Sequence, residues 1–92
     1  MYLEIITPEK KIFEGEVKSA SFPGTSGYFQ VLNNHAPMVS HIAKGKVTYK
    51  NKEGESILYA KGGVVEILNN RVTLLADRIM EEDEYYEEEE TE

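Results

Sequence analysis

The sequence predicts an all-β protein, a flattened β-sandwich or barrel of two sheets with about ten short strands. Apolar and polar residues alternate in short segments that follow one another from residue 2 to residue 76. Turn residues, among them Pro8, Gly15 and the segment PGTSG, separate these segments at short intervals. No stretch before Asp77 keeps a helical period. Short strands interrupted this often are typical of sandwiches and barrels.

The first half of the chain contains four predicted strands. Their segments are YLEIIT, KIFEG, EVKSASF and GYFQVL. Several predicted strands are apolar on both faces: Ile6 points away from the side chains of its apolar neighbours, and Leu75 interrupts the alternation of a later strand. In an isolated sandwich each sheet needs one buried face. The surplus of apolar residues therefore predicts that a partner covers part of the outer surface.

A first hairpin is predicted in the second half. KVTYK alternates, with Val47 and Tyr49 on one face, and SILYA follows after the polar turn NKEG. Two alternating strands joined by a short polar turn are typical of a hairpin.

A second hairpin is predicted around Asn69 and Asn70, which lie between GGVVEIL and RVTLLA. Asparagine tolerates positive φ better than most residues. This two-residue loop is therefore predicted to form a mirror-image turn.

The chain is predicted to form one small domain at residues 1–78, followed by an acidic tail at residues 79–92. The last twelve residues hold nine of the seventeen acids, which leaves eight acids against ten Lys and Arg in residues 1–80. Acids favour the first turn of a helix but repel one another at i, i+4. We expect a frayed turn followed by a mostly disordered, solvated tail rather than a docked one.

Composition excludes several classes of function. The chain has no cysteine, so neither disulfides nor thiolate metal sites are expected. No apolar run is long enough for a membrane helix and no leader resembles a signal peptide, which predicts a cytosol-like compartment. The nearly neutral body lacks the basic stripe that nucleic-acid binding requires.

No catalytic, cofactor-binding or metal-binding residues are predicted. The glycines of KGG lie between two strands rather than at the head of a helix, so they favour a turn or bulge over a phosphate loop. His35 and His41 are six residues apart with Pro37 between them, which makes a poor metal pair. No serine has a base and an orienting group in an evident set.

The segment NNHAP at residues 33–37 has two open interpretations. Asn33 and Asn34 favour turn geometry, and Pro37 biases Ala36 toward an extended conformation, so the loop is predicted to be stiff. His35 is either a loop histidine whose ring bonds the backbone or a contact residue that the turn holds in place.

Three segments carry a resemblance to a known family. LEIITPEKKIFEGEV, FPGTSGYFQVLNNHAPMVS and VTLLAD, in this order and over about residues 3–77, resemble the epsilon subunit of bacterial F-type ATP synthase. The resemblance implies a flattened sandwich of two sheets in a non-catalytic rotor subunit without cofactors. It implies binding to the gamma subunit and the c-subunit ring, and coupling of proton or sodium flow to ATP synthesis in the alpha–beta head. It also implies a peripheral position at the cytoplasmic face of the bacterial plasma membrane.

The resemblance also implies contact residues. Those matching the c-ring contact are Thr25, Ser26, Gly27, Tyr28 and His35. Those matching the gamma contact are Thr7, His35, Ala36, Pro37 and Ser40. Many family members have an acid at the position of Tyr28, so we expect packing rather than a charge pair there. Ser40 and Leu75 are expected on the sheet face that meets gamma.

Typical family members continue as a two-helix hairpin that can brake ATP hydrolysis and that binds ATP in some of them. This sequence ends in an acidic run and resembles a short form, so neither property is expected. The alternatives are a free-standing module that binds a peptide or sugar and, last, an enzyme. A binding module needs a concave aromatic pocket, whereas Tyr85 and Tyr86 are expected in the tail and the other four tyrosines on separate strands.

Overall fold

The computed structural model describes the backbone of residues 1–90 and the side chains of residues 1–87. It confirms the predicted all-β sandwich. Within this part of the chain the elements are β1 (Tyr2–Ile6), β2 (Lys11–Glu16), β3 (Ser19–Gly24), β4 (Gly27–Leu32), β5 (Met38–Asn51), β6 (Gly54–Leu68), β7 (Arg71–Ala76), β8 (Ile79–Met80) and α1 (Glu82–Glu90). No helix among residues 1–90 has the length and apolar character needed to cross a membrane.

The strands form one open sheet that folds over into two layers. Their order is β2-β1-β7-β6-β5-β3-β4, with β8 paired to β6. β1 and β7 run parallel, whereas the other neighbours are antiparallel. The first layer consists of β2, β1, β7 and the adjoining ends of β6 and β5. The second layer consists of β4, β3, β8 and the opposite ends of the same two long strands.

The strands are fewer than the ten expected because β5 and β6 each run through both layers. The predicted strands SILYA and GGVVEIL are both part of β6. The partner of β6 changes from β7 to β8 across Gly62 and Gly63, whose φ angles are 84° and 147°. A Cβ at Gly63 would lie 2.4 Å from the carbonyl oxygen of Leu75. Glycine thus lets the strand pass from one layer to the other without a break.

Both predicted hairpins are confirmed. Val47 pairs with Leu58, and the β5–β6 strands meet at a two-residue turn after Asn51. In the second hairpin, Asn69 and Asn70 have φ angles of 52° and 60°. Positive φ at both central residues is the mirror-image geometry that the asparagine pair predicts.

The core lies between the two layers and follows the alternation of the strands. Side chains that are completely or almost completely buried are Leu3, Ile5, Phe22, Val31, Val47, Val65, Ile67, Val72 and Leu74. Aromatic rings extend this core. The ring centroids of Phe22 and Phe29 are 5.6 Å apart. Those of Phe13 in the first layer and Tyr49 in the second are 4.4 Å apart. Burial of these apolar side chains is the main term that favours folding.

The acidic segment differs from its prediction. Ile79 and Met80 pair with Ala60 and Tyr59 of β6, so the sheet continues past the expected domain boundary at residue 78. Glu82–Glu90 then form a helix instead of a frayed turn and a disordered tail. Residues 91 and 92, which belong to the predicted tail, lie outside the described residues. Tyr85 and Tyr86 of this helix contact Tyr59 of the sheet.

Candidate docking surfaces

Except for Thr7 and Ser40, the predicted contact residues lie at the two ends of the edge strand β4. Thr25 and Ser26 form the turn before it, whereas His35 belongs to the loop after it. At about 3.4 Å per residue, β4 is roughly 17 Å long between Gly27 and Leu32. The structure therefore does not bring His35 together with the β3–β4 turn, although both were expected at the c-ring.

The β3–β4 turn is held against β5 at two points. The backbone N–H of Thr25 donates to the carbonyl oxygen of His41 at 3.2 Å. The hydroxyl of Tyr28 accepts from the backbone N–H of Lys46 at 3.1 Å, while 62% of the Tyr28 surface stays exposed. Gly45 permits this arrangement, because a Cβ there would lie 2.7 Å from Cβ of Pro23 and 3.2 Å from the Tyr28 hydroxyl. Sequence reasoning missed this internal role of Tyr28.

The His35 loop is a turn closed by a 3.2 Å hydrogen bond from the backbone N–H of His35 to the carbonyl oxygen of Leu32. Asn34 has a φ of 63°, the left-handed geometry that asparagine tolerates in turns, which confirms the predicted turn. Nδ1 of His35 lies 2.7 Å from the carbonyl oxygen of Ala36. The ring thus bonds the backbone, as the first of the two interpretations requires, and a half-buried loop residue in this position remains available for contact.

A second turn braces this loop. The side-chain oxygen of Asn70 accepts from the backbone N–H of Asn34 at 2.8 Å, and its amide nitrogen donates to the side-chain oxygen of Asn33 at 3.1 Å. The amino group of Met1 donates to the same oxygen of Asn33 at 3.0 Å. The asparagine pairs of two loops therefore support each other, a relationship that their separate positions in the sequence do not reveal.

The outer face of the first layer carries a partly exposed apolar row. By register, Ile6 lies beside Leu75 and Leu75 beside Val64. Leu75 is 51% exposed. A shallow depression next to the row is lined by Thr7 and Pro8, among others. Thr7 is the predicted gamma-contact residue that adjoins this row.

Ser40 lies on the other side of the same sheet. It pairs with Val65, which pairs with Leu74, and the side chains of Val65 and Leu74 are buried in the core. The expectation that Ser40 and Leu75 share a face is wrong. Along its strand, Ser40 is one of the alternate residues whose side chains point into the core. Leu75 directly follows the buried Leu74 and therefore points outward.

A charged network covers the neighbouring part of this outer face. Nζ of Lys11 lies 2.9 Å from a carboxylate oxygen of Glu4 and 3.0 Å from one of Glu14. The guanidinium of Arg71 lies 3.3 Å from Glu4 and over the ring of Tyr2. The hydrogen bond from Lys11 lowers the pKa of Glu4. The hydrogen bond from the Tyr2 hydroxyl, followed by that from Lys11, lowers the pKa of Glu14. The charges of this network are paired with one another, and they lie beside the apolar row.

The outer face of the second layer brings three tyrosines together, contrary to the expectation that Tyr85 and Tyr86 lie in a tail away from the tyrosines of the strands. The ring of Tyr59 stacks on Tyr85 at 4.5 Å and contacts Tyr86 at 5.9 Å. Its hydroxyl lies 3.3 Å from a carboxylate oxygen of Glu82. Hydrogen bonding to Tyr86 and burial raise the pKa of Tyr59. The tyrosines come together because α1 packs on the sheet, which sequence periodicity does not predict.

The other surface features of the described residues are shallow. Among the side chains of residues 1–87, no three His, Asp or Glu are grouped so that they could hold a metal ion. A depression at the change of layers is lined by Thr25, His41, Gly62, Gly63 and Asp77. Every buried side-chain nitrogen or oxygen in this part of the chain has a hydrogen-bond partner.

These features define a class of protein: a small β-sandwich whose distinctive parts are two braced loops and two partly apolar outer faces. Residues 1–82 match the family model described as the beta-sandwich domain of the ATP synthase Delta/Epsilon chain. The chain therefore belongs to this family.

Relatives named ATP synthase epsilon chain support this membership. The chain is 39% identical to that of Leptospira interrogans over 75 residues, which is 82% of this chain and 59% of the relative. It is 37% identical to that of Protochlamydia amoebophila over 78 residues, which is 84% of this chain and 53% of the relative. The chain thus spans a little more than half the length of the relatives it matches.

Solved structures show the same fold. A chain of the Euglena gracilis mitochondrial ATP synthase aligns with a TM-score of 0.82 at 16% identity, covering 97% of this chain and 61% of that one. A chain from the central stalk and c-ring of the Tetrahymena thermophila enzyme aligns with a TM-score of 0.78 at 12% identity, covering 90% and 67%.

Proposed function

We propose that this chain is a non-catalytic central-stalk subunit of an F-type ATP synthase, which docks the gamma subunit to the c-ring. In this role it couples ion translocation to ATP synthesis in the alpha–beta head, at the cytoplasmic face of the bacterial plasma membrane. Family membership and relatives named ATP synthase epsilon chain support the proposal. The observation that carries it is the apolar row of exposed Leu75 and half-buried Ile6 and Val64, an outer surface that a permanent partner would cover.

The gamma subunit is proposed to cover this row. Leu75 lies at its centre with half its surface exposed, and Thr7 lies at one end beside the depression. The charged network of Glu4, Lys11 and Arg71 then forms a polar border, as at the rim of many interfaces. Ser40 contributes little, because its side chain turns toward the core.

The c-ring is proposed to meet the β3–β4 turn. Thr25 and Ser26 are exposed, uncharged and fixed by the backbone contacts of Thr25 and the Tyr28 hydroxyl. A turn held in one conformation loses less entropy on binding. His35, Ala36 and Pro37 lie at the opposite end of β4 and are assigned to the gamma side alone.

Recovery of the chain from membranes tests the proposal. A tagged chain, expressed in its own host, should bring down gamma and the c subunit from mildly solubilised membranes. Leu75→Glu should lose gamma. Ile57→Glu is the matched control, because Ile57 is equally exposed at 51% but lies in the second layer. Failure of the unaltered chain to recover either subunit would contradict the proposal.

A further inference from the structure

The helix α1 has a composition that opposes helix formation. Seven of its nine residues are acidic, and its last turn has no basic residue. Acids are favourable only near the N-terminus, and like charges four residues apart destabilise the later turns. A helix of nine residues is also too short to be stable alone in water. Contacts outside the helix must therefore stabilise it.

Aromatic rings provide the first of these contacts. Tyr59 points outward from β6 and yet is only 7% exposed, because Tyr85 and Tyr86 of α1 cover it. The hydroxyl of Tyr59 also lies within hydrogen-bond distance of Glu82 at the start of the helix. Packed aromatic pairs contribute beyond the area they bury.

Cations provide the second contact. Lys61 pairs with Lys44 across the sheet, and its backbone N–H donates to the carbonyl oxygen of Arg78 at 2.9 Å, so the three cations form one row. At one end of the row Arg78 forms an ion pair with Glu84. At the other end Nζ of Lys44 lies 5.6 Å from the centre of the Tyr85 ring. The helix thus lies over cations and an aromatic ring together.

We propose that Lys44, Tyr59, Lys61 and Arg78 form a docking face for an acidic, tyrosine-bearing helix, that α1 occupies it, and that α1 is helical only while docked. The proposal is independent of the rotor function. Exposed ion pairs weaken as salt rises, because the screening length falls from about 10 Å at 0.1 M to about 3 Å at 1 M. Salt also weakens the repulsion within α1, but a free helix of nine residues is too short to be stable even without that repulsion. Loss of the ion pairs should therefore release and unfold α1 in one step.

Solution NMR of the full chain tests this coupling. At low salt we expect proton–proton contacts between the rings of Tyr59 and Tyr85, together with helical carbon shifts at residues 82–87. Between 20 mM and 1 M NaCl both signals should fall together by about twofold or more as the pairs are screened. The signals of the sheet should stay unchanged.

Variants test the two kinds of contact one at a time. The double variant Lys44→Gln and Arg78→Gln should lose both signals already at low salt. Tyr85→Ser removes the ring contacts by itself, so its informative result is the loss of the helical shifts. Lys50→Gln is the matched control, since Lys50 is an exposed lysine of the same strand as Lys44 but lies outside the row. Helical shifts that persist after the ring contacts are lost, or signals that respond neither to salt nor to the double variant, would overturn the proposal.

Discussion

The hydroxyl of Tyr28 accepts a hydrogen bond from the backbone N–H of Lys46, with oxygen and nitrogen 3.1 Å apart. Strand β3 lies between the strands that carry the two residues. The pairing of β3 with β5 is irregular between Ser21 and Gly24, and Pro23 in this interval has no N–H to donate. The tyrosine therefore gives a partner to a main-chain group beside the irregularity and fixes the β3–β4 turn.

Removal of this hydroxyl should loosen the turn. Tyr28→Phe keeps the ring but loses the bond to Lys46, so we expect a loss of about 1 kcal/mol in the free energy of unfolding. Urea denaturation measures it. Tyr49→Phe is the control, since Tyr49 packs on Phe13 and no hydrogen bond of its hydroxyl is seen in the described part of the chain. An equal loss of unfolding free energy in both variants would show that the hydrogen bond of Tyr28 does not contribute to stability.

The absence of a side chain at Gly45 should also be necessary for the position of Tyr28. In Gly45→Ala the new methyl group would overlap Pro23 and press on the Tyr28 hydroxyl, which we expect to cost about 1–3 kcal/mol. Gly15→Ala is the matched control, because its methyl group would meet only the ring of Phe13 at 3.3 Å. Thermal unfolding of the two variants compares them. A Gly45→Ala chain as stable as Gly15→Ala would contradict the packing described.

The two faces of the first layer should respond differently to charge. Leu75→Glu should leave the melting temperature nearly unchanged and abolish binding to purified gamma, because Leu75 is on the proposed contact face. Ser40→Glu should lower the melting temperature, since it turns a carboxylate toward Val65 and Leu74. Titration calorimetry and melting curves provide the two readings. Loss of gamma binding in a stable Ser40→Glu chain, with Leu75→Glu unaffected, would reverse the assignment.

Acid should weaken the charged network of the outer face. The pKa values of Glu4 and Glu14 are lowered from 4.5 by hydrogen bonds from Lys11 and Tyr2. A carboxyl whose pKa is lowered on folding adds stability that is present above its ordinary pKa and is lost as the pH falls through the lowered value. The wild type should therefore lose more stability than Lys11→Gln when the pH falls from 6 toward 3.

Melting temperatures across this pH range measure the difference. Lys52→Gln, which changes an exposed lysine in the β5–β6 turn, is the control and should follow the wild type. Parallel curves for the wild type and Lys11→Gln would show that the network contributes nothing to the acid dependence of stability.

The acidic helix should not act as a brake on ATP hydrolysis. Nine helical residues span only about 14 Å at 1.5 Å per residue, and here they lie on the sheet beside Tyr59. Deletion of residues 81–92 in the assembled enzyme should leave ATP hydrolysis and ion pumping unchanged. The described part of this segment has no basic side chain after Arg78 for a triphosphate, so ATP should not bind it. Hydrolysis that rises several-fold on deletion would contradict this expectation.

Local patterns predicted the fold well. The alternation of Val47 and Tyr49 and the asparagine pair at 69 and 70 each specify a hairpin through residues close in the chain. The exposure of Leu75 also follows from alternation alone. Such features depend on residues that are close together in the sequence, so the alternation of apolar and polar residues can predict them.

Long-range relationships were harder to predict. The helix α1 forms because of Tyr59 and Arg78, and the first of these lies more than twenty residues before it. The continuity of β6 depends on how Gly63 packs against β7. The position of Ser40 on the inner face depends on its register with Val65. Each requires a partner strand or ring that a local pattern does not specify.

Site-directed crosslinking in the assembled enzyme tests the central claim most directly. The chain has no cysteine, so Ser26→Cys and Leu75→Cys each introduce a single reactive site. Given a short bifunctional reagent, we predict that Ser26→Cys crosslinks to the c subunit and Leu75→Cys to gamma. An Ile57→Cys control, placed on the other layer, should crosslink to neither. Crosslinks of Leu75→Cys to the c subunit, or none from either variant in an active enzyme, would contradict the proposed place of this sandwich between gamma and the c-ring.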